Sequence, residues 1–496
     1  MAEQRPNILL IFTDQQRGDT IHAAGNPIIR TPHLDWLCRE GVRFSSAFTP
    51  SPECVPARCA LITGRYPHQT GCYSNADPMP EPADTFMAAL SATGYRTHAI
   101  GKMHFTPDSH ALRGLQSREY QEEIGGSVAE DDYLRYLQAA GYGHVYDPMG
   151  SRGEMYYIPQ PAQMPARYHA TNWVGERAEV FLRDQDRRQP FLLWASFIHP
   201  HPPFSPPTPW NKLYRAALMP PPHEPVGCTY LQTFINKVQN RYKYRDHGSD
   251  LNLLRVMKAY YYACISFIDY QIGRMLNVLE ETGQLDNTLI LFSSDHGEYL
   301  GDYGCFGKRG MLDAPARIPL LARYPQRFAP GSECTTPASL VDIYPTILAA
   351  AGCPAPRQDL AGVDLADLAG TQADANNERT VYSQWQHGAD GLYMAVNTKA
   401  KYIYSAPDRR EFLFDRIADP LETRSRANVV FCRDTLHSMR GNIINYYRRE
   451  NYTEPLEGEN WRLFPQPELP ADPDAGLLIQ DPPWAEAMQL IPGYTD

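Results

Sequence analysis

Two kinds of hydrophobic pattern alternate along most of the chain. Short, continuous apolar runs are followed by longer segments in which apolar residues recur at helical spacing. Continuous runs are typical of parallel strands buried on both faces, and the second pattern is typical of the helices that cover them. The order predicts an α/β fold with a large, mostly parallel sheet sandwiched by helices. The predicted strands are residues 7–13, 98–101, 191–198 and 288–294.

Residues that favour helix ends mark the predicted helices. Thr31 and Pro32 predict the start of one helix, because threonine caps the first amide groups and proline fits the first turn. Gly41 predicts the end of that helix. Asp84 is the predicted cap of a second helix, residues 85–93. Two further helices are predicted over residues 171–183 and 256–282.

The chain divides into three predicted regions. They are a catalytic domain over residues 1–375, a smaller C-terminal α+β domain over residues 376–465 and an extended tail over residues 466–496. The first boundary falls in the polar stretch LAGTQADANN, which is typical of a linker. A short antiparallel sheet is predicted in the C-terminal domain from apolar stretches at residues 381–385, 392–397 and 402–405.

Several long segments have an irregular composition. Residues 107–168 and 201–250 are rich in Pro and Tyr, and we expect them to form the entrance to a binding site. The proline-rich tail is expected to run along the surface, where it would be able to clasp a neighbouring subunit. A homo-oligomer is therefore one of the arrangements that the sequence leaves open.

Composition and charge narrow the class of protein. Of the 496 residues, 43% are hydrophobic and 21% are charged, as in an ordinary globular protein. The formal net charge of -11 disfavours nucleic acid or an anionic membrane as a partner, since both bind clustered positive charge. No apolar run has the length of a membrane span or a signal-peptide core, so we expect a cytoplasmic location. The 10 cysteines include no CxxC pair, which predicts free thiols.

Acidic residues follow two of the predicted strands. Asp14 comes directly after residues 7–13, and Asp295 follows residues 288–294. The carboxyl ends of parallel strands meet at one edge of a sheet, so the two carboxylates are expected to lie close together. With Gln15 and His296 they offer ligands for one divalent cation; we expect calcium, with magnesium or manganese as alternatives. Either aspartate alone also fits an ordinary turn residue.

The most informative stretch is SPECVPARCALITGRYPHQTG, residues 51–71. Cys54, Pro56 and Arg58 form the pattern C-x-P-x-R, and L-I-T-G-R follows. The extended pattern resembles the signature of type I sulfatases, members of the alkaline phosphatase superfamily. In that family a dedicated formylglycine-generating enzyme oxidises the cysteine to formylglycine. The resemblance implies the same for Cys54, which taken alone also fits an ordinary buried thiol.

The chemistry of formylglycine explains the use of such a residue. Its hydrate has two hydroxyls on one carbon; one, bound to the metal, attacks sulfur, and the other, once deprotonated, lets the carbon expel sulfate. Cys54 is thus both the predicted nucleophile and a predicted metal ligand. Arg58, one helical turn later, is predicted to hold the nucleophile by charge-assisted hydrogen bonds.

Three further segments resemble motifs of the same family. In GKMH, residues 101–104, the resemblance implies that Lys102 binds sulfate and that His104 takes the proton from the second hydroxyl. In the H-x-H segment, it implies that His201 protonates the leaving group and that His199 is an auxiliary substrate contact. Lys308, in a Gly-Lys pair, resembles a second sulfate-binding lysine. Each of these residues alone also fits a solvated or structural side chain.

Two positions depart from the commonest family pattern. Gln15 and His296 stand where many members have Asp and Asn, and in this respect the chain resembles choline sulfatases and the related phosphonate monoester hydrolases. The family implies hydrolysis of a small sulfate ester, alkyl or aryl. The same machinery fits phosphonate monoesters and phosphodiesters, because they share a single negative charge and a tetrahedral centre. A non-catalytic binding protein of the same fold is a third reading, which the intact set of motif residues disfavours.

Overall fold

A large mixed sheet, covered by helices on both faces, forms the centre of the molecule, which confirms the predicted α/β class. A computed structural model describes residues 5–81, 84–124, 126–152, 156–243, 250–370 and 379–469. Its strands are β1 (Asn7–Asp14), β2 (Val42–Phe44), β3 (Ala47–Phe48), β4 (Arg96–Gly101), β5 (Ser117–Tyr120), β6 (Phe191–Pro200), β7 (Thr288–Ser294), β8 (Leu320–Arg323), β9 (Ser332–Cys334), β10 (Ala338–Ser339), β11 (Val381–Trp385), β12 (Leu392–Val396), β13 (Ala400–Ser405), β14 (Arg410–Asp415), β15 (Leu456–Glu457) and β16 (Asn460–Trp461).

The 8-stranded sheet has the order β5-β4-β6-β1-β7-β8-β2-β9. Its neighbouring strands are parallel except where β8 pairs with β7 and β2. The helices are α1 (Pro32–Glu40), α2 (Cys54–Thr63), α3 (Pro67–Thr70), α4 (Phe86–Ala92), α5 (Asp132–Ala139), α6 (Ala170–Arg183), α7 (Phe234–Lys243), α8 (Leu251–Glu281), α9 (Asp313–Ala316), α10 (Ile343–Ala351), α11 (Leu365–Gly370) and α12 (Arg433–Arg449).

The packing of strand β1 on both of its faces explains why residues 8–12 are all apolar. Ile8, Leu10 and Phe12 pack in a core cluster with α2, α4 and α10, whereas Leu9 and Ile11 pack on the opposite face with α1, α6 and α8. Successive side chains of a strand point to opposite faces, so a strand between two helical layers needs apolar residues at every position. The four predicted strands of this pattern lie side by side in the middle of the sheet, in the order β4-β6-β1-β7.

The structure corrects two predicted helix caps. The Thr31 hydroxyl makes no capping bond to α1 and instead donates to Asp35 at 3.1 Å. Thr85, rather than Asp84, caps α4 by accepting from the Ala88 amide at 3.1 Å. Threonine and aspartate compete for the same role, and the residue directly before the first helical turn is the one placed to fill it.

Helix α8 begins earlier than residue 256, because Asp250 caps it by accepting from the Leu253 amide. The helix therefore begins directly after residues 201–250, the second segment of irregular composition. None of the described helices is both long and apolar enough to cross a membrane. All 10 cysteines are free thiols.

The C-terminal part contains the predicted antiparallel sheet, in the order β11-β12-β13-β14. One face of this sheet packs against Phe48 and Met311 of the larger part, and the other face packs against α12. Residues 371–378, which include the predicted boundary at 375, lie outside the described residues, as do residues 470–496 of the predicted tail. The proposed domain limits remain predictions.

A glycine at the end of β4 lets this strand approach β6. Gly101 has φ 89°, and a Cβ atom there would lie 2.1 Å from the Ser196 carbonyl oxygen. Gly94 has nearly the same φ, 90°, but only Arg5 lies within reach of its Cβ, at 3.9 Å. The two positions therefore differ in steric contact and not in backbone conformation.

We expect Gly101→Ala to lower the free energy of unfolding by about 1–3 kcal/mol more than Gly94→Ala, because only the first creates a clash with backbone. Denaturant midpoints of the two variants and of the unmodified protein measure the difference. Equal losses at the two positions would contradict the steric explanation.

Candidate active site

Four adjacent strands deliver polar residues to one edge of the sheet. Thr13 of β1 is in register with Ser294 of β7, so Asp14 and Asp295 follow side by side. Lys102 follows β4, and His201 follows β6. The predicted meeting of the two aspartates is therefore observed, at the carboxyl ends of parallel strands where ligands commonly bind.

Helix α2 presents Cys54 to this edge. Cys54 is its first residue, and all ten residues of the helix are buried. The helix ends at Gly64, whose φ of 66° is the left-handed conformation in which glycine is favoured. The helix N-terminus adds partial positive charge where the sulfur lies.

Arg58 joins the strand ends to one another. Its guanidinium, which has no exposed surface, donates to Asp14 and Asp295, each at 3.1 Å. It also donates to the Lys102 carbonyl at 2.7 Å and to the Ser196 hydroxyl at 3.1 Å. These bonds fix the guanidinium between the two carboxylates and the strand ends, and the predicted role of Arg58 in holding the nucleophile remains a prediction.

The sulfur of Cys54 lies among charged groups. Lys308 Nζ donates to Cys54 Sγ at 2.8 Å, and His296 Nε2 lies 3.3 Å from it. Burial and Asp14 raise the pKa of the thiol, whereas Lys102, Lys308 and His296 lower it, and the net result is a pKa of about 6. A site that favours a thiolate also favours other anions bound at this position.

The residues fit a divalent cation. The ligand atoms of Asp14, Cys54, Asp295 and His296 all lie within 4.8 Å of one another. The resemblance predicts a formylglycine at position 54, and for that residue the Cys54 sulfur marks the place of one hydroxyl of the hydrate. Burial and the neighbouring charge of Asp14 raise the pKa of Asp295 to about 6. A cation between the two carboxylates would relieve this repulsion.

Gln15 also fits the role of a metal ligand. Its backbone amide donates to Asp295 at 2.9 Å, and its side-chain nitrogen donates to Glu298 and, at 3.5 Å, to Tyr157. Its buried Oε1 has no hydrogen-bond partner among the described residues. Glu298 can only accept when ionised, so it fixes the amide with the oxygen left for another partner.

Lys102 and His104 extend from the end of β4. Lys102 Nζ lies 2.5 Å from an Asp14 oxygen and also contacts Glu123. His104 is tied through its backbone amide to Glu122 at 2.8 Å. Burial and the charge of Lys102 lower the pKa of the His104 imidazole to about 3. The imidazole is therefore neutral at ordinary pH, as a proton acceptor must be.

The two histidines of the H-x-H segment face different surroundings. His201 Nε2 lies 3.3 Å from Lys308 Nζ and 3.4 Å from the Tyr156 hydroxyl. Both ring nitrogens of His199 instead face hydroxyls, those of Thr171 at 3.4 Å and Ser205 at 3.3 Å. This geometry favours a structural role for His199, and its predicted contact with substrate remains a prediction.

Sequence reasoning missed several buried acids around the site. Glu53 precedes Cys54 and accepts from Arg309 at 2.7 Å and from the Trp385 indole at 2.7 Å. The bond from Trp385 links the C-terminal sheet to Glu53, next to Cys54, and the bond from Arg309 links Glu53 to the residue next to Lys308. Glu123 and Tyr157 lie far from the motifs in sequence, whereas Glu298 lies two residues after His296. In each case only the fold shows the contact.

Comparison with known proteins agrees with the geometry. The family model described as "Sulfatase" matches residues 6–353, and one described as "N-sulphoglucosamine sulphohydrolase, C-terminal" matches residues 301–447. An arylsulfatase of Clostridium perfringens is 30% identical, over 91% of this chain and 96% of its own. A choline-sulfatase of Rhizobium meliloti is 30% identical, over 86% and 83%. The crystal structure of a phosphonate monoester hydrolase of Agrobacterium radiobacter superposes with a TM-score of 0.79 at 24% identity, covering 91% of this chain and 98% of the other.

In unconverted, chelator-treated protein, alkylation of Cys54 by iodoacetamide is expected to rise with pH around a midpoint near 6, because the thiolate is the reactive form. Lys308→Ala removes a neighbouring cation and should raise this midpoint by about one unit or more. Mass spectrometry of the alkylated peptide measures both, with Lys258→Ala on α8 as the control. A midpoint typical of an ordinary cysteine would contradict the described electrostatics.

Proposed function

The chain belongs to the sulfatase family, a family of sulfuric ester hydrolases within the alkaline phosphatase superfamily. From this premise we propose that it hydrolyses a small alkyl or aryl sulfate ester. The nucleophile is the hydrate of a formylglycine made from Cys54. The observation that supports this most directly is the position of the Cys54 sulfur, between Lys308 Nζ at 2.8 Å and the cluster of Asp14, Asp295 and His296.

The proposed reaction has two stages. One hydroxyl of the hydrate attacks sulfur, the new oxygen–sulfur bond forms, and the bond to the ester oxygen breaks as the alcohol leaves. The second hydroxyl then loses its proton, its electrons restore the carbon–oxygen double bond, and sulfate departs. Water rehydrates the aldehyde.

The chain's own residues have separate proposed tasks. Lys102 and Lys308 bind the non-bridging oxygens of the sulfuryl group, because preorganised positive charge stabilises the transition state. His201 donates a proton to the leaving alcohol, and His104 accepts the proton of the second hydroxyl. The low pKa of His104 supports the second assignment, since a neutral imidazole is already able to accept a proton.

We propose that Asp14, Gln15, Asp295 and His296, with the side chain at position 54, hold one divalent cation. When bound, the cation favours the deprotonated form of a hydroxyl. The predominance of oxygen ligands favours calcium, with manganese and magnesium as alternatives. A formylglycine-generating enzyme is the partner that maturation requires.

We expect protein coexpressed with a formylglycine-generating enzyme to hydrolyse an aryl sulfate, and Cys54→Ala to lower kcat/KM by at least about 10³-fold, because the nucleophile is lost. The mass of the peptide that contains residue 54 should fall by about 18 units on conversion, since a carbonyl oxygen replaces a thiol. The matched control is Cys264→Ala, which removes a buried thiol of α8 outside the site.

Unchanged activity in Cys54→Ala would reject this nucleophile. Activity of fully unconverted protein would reject the formylglycine while leaving the site in place. A folded, converted protein without activity on any ester would support the non-catalytic reading.

Hydrolysis of phosphonate monoesters or phosphodiesters is the second candidate function. It is favoured by Gln15 and His296, the two positions at which the sequence resembles phosphonate monoester hydrolases. Both classes of ester present one negative charge and a tetrahedral centre to the same lysines.

We expect kcat/KM for 4-nitrophenyl sulfate to exceed that for 4-nitrophenyl phenylphosphonate by about tenfold or more, measured on one converted preparation. The leaving group is the same, so the ratio reports the recognition of the transferred group. A ratio in the opposite direction would replace the proposed sulfatase activity by the second candidate.

A further inference from the structure

A buried glutamate occupies the substrate side of the pocket. The Glu123 carboxylate contacts Lys102 Nζ and lies 3.4 Å from His201 Nε2 and 3.5 Å from an Arg152 nitrogen. A Glu123 oxygen and the Cys54 sulfur lie within 4.8 Å of each other, in a group that includes Asp14 and His201. Glu123 therefore faces the space that the transferred group must enter to reach the nucleophile.

Glu123 changes the balance of charge in this space. The described arginine and lysine side chains of the pocket include Arg58, Lys102, Lys308 and Arg152. The carboxylates that face them are those of Asp14 and Asp295, and Glu123 adds another. In a buried site the repulsion between two like charges about 5 Å apart is large, because little water screens it.

The repulsion depends on the charge of the substrate. A sulfate monoester and a phosphonate monoester each carry one negative charge, and a phosphate monoester carries two at alkaline pH. The second charge of a phosphate monoester would lie beside the carboxylate of Glu123, which already pairs with Lys102 and Arg152. The single negative charge that sulfate, phosphonate and phosphate monoesters have in common is expected to pair with Lys102 and Lys308.

We propose that Glu123 is a specificity-determining residue that makes the pocket select singly charged esters over doubly charged ones. This inference rests on the proposed function and adds the charge class of its substrate. It applies equally to sulfur and phosphorus, since the selection is by charge and not by the central atom.

The test uses converted, metal-replete protein and three substrates with one leaving group: 4-nitrophenyl sulfate, 4-nitrophenyl phenylphosphonate and 4-nitrophenyl phosphate. Glu123→Gln keeps the shape of the side chain and removes its charge. It should raise the kcat/KM of the phosphate relative to that of the sulfate by roughly 10- to 100-fold. The ratio of phosphonate to sulfate should stay constant, because both esters carry one charge.

Two control variants separate charge from structure. Glu123→Asp retains the carboxylate and should keep the selectivity of the unmodified protein. Glu119→Gln removes a charge four positions earlier, on β5, where Glu119 pairs with Arg177 at 2.5 Å. It should leave all three ratios unchanged. Thermal unfolding of each variant establishes that it is folded.

A binding measurement provides a readout without turnover. In the Cys54→Ala background, calorimetry compares phenyl sulfate with phenyl phosphate at alkaline pH. Adding Glu123→Gln should tighten the binding of phenyl phosphate by at least about tenfold more than that of phenyl sulfate.

Two outcomes would overturn the proposal. One is an unchanged phosphate-to-sulfate ratio, whether both esters keep, lose or gain activity equally, and the other is a phosphonate ratio that follows the phosphate. Equal gains would mean that Glu123 only fills the empty pocket and moves aside for any anion. If converted protein hydrolyses none of the three esters, the proposed function fails, while the binding measurement still decides the role of Glu123.

Discussion

One buried guanidinium is the constraint on which the rest of the site depends. Arg58 binds Asp14 and Asp295 and also bonds to the ends of β4 and β6. Its charge has no exposed surface, and neither have the two carboxylates. Removing one member of such a group leaves an unpaired buried charge, which costs far more than a surface ion pair. The strand ends and the acidic groups are therefore held in one arrangement before any ligand enters.

This arrangement explains how opposite charges coexist within a few ångströms. Lys308 contacts the Cys54 sulfur, and Lys102 contacts the Asp14 carboxylate at the sheet edge. Asp14, Asp295 and Lys102 lie at or directly after strand ends, whereas Lys308 lies in an irregular segment and is buried there. Little reorganisation is then needed when charge develops during a reaction, which is how preorganised sites lower a barrier.

The sequence predicted the sheet, its central strands and the aspartates, because continuous apolar runs and the residues that follow them are local signals. Helical spacing relates Arg58 to Cys54, and its role beside the nucleophile stays a prediction. The bonds from its guanidinium to the carboxylates and strand ends could not be predicted, because spacing does not show which partners the fold brings to a side chain. Glu123 and Glu298 were missed for the same reason. Glu123 belongs to no motif and reaches the site only through tertiary packing of its segment. Glu298 lies two residues after His296, but its bond to Gln15 depends on the fold.

The complete burial of Cys54 has a consequence for the timing of synthesis. A thiol with no accessible surface can meet a modifying enzyme only while the chain is still unfolded. Lys308, which closes over the sulfur, is made 254 positions later. At about 5 to 20 residues per second, the ribosome takes roughly 13 to 50 s to cover that interval. For the conversion proposed above, the nascent chain therefore offers a window of this length, and the ratio of maturation enzyme to ribosomes would determine what fraction of the finished protein has an aldehyde.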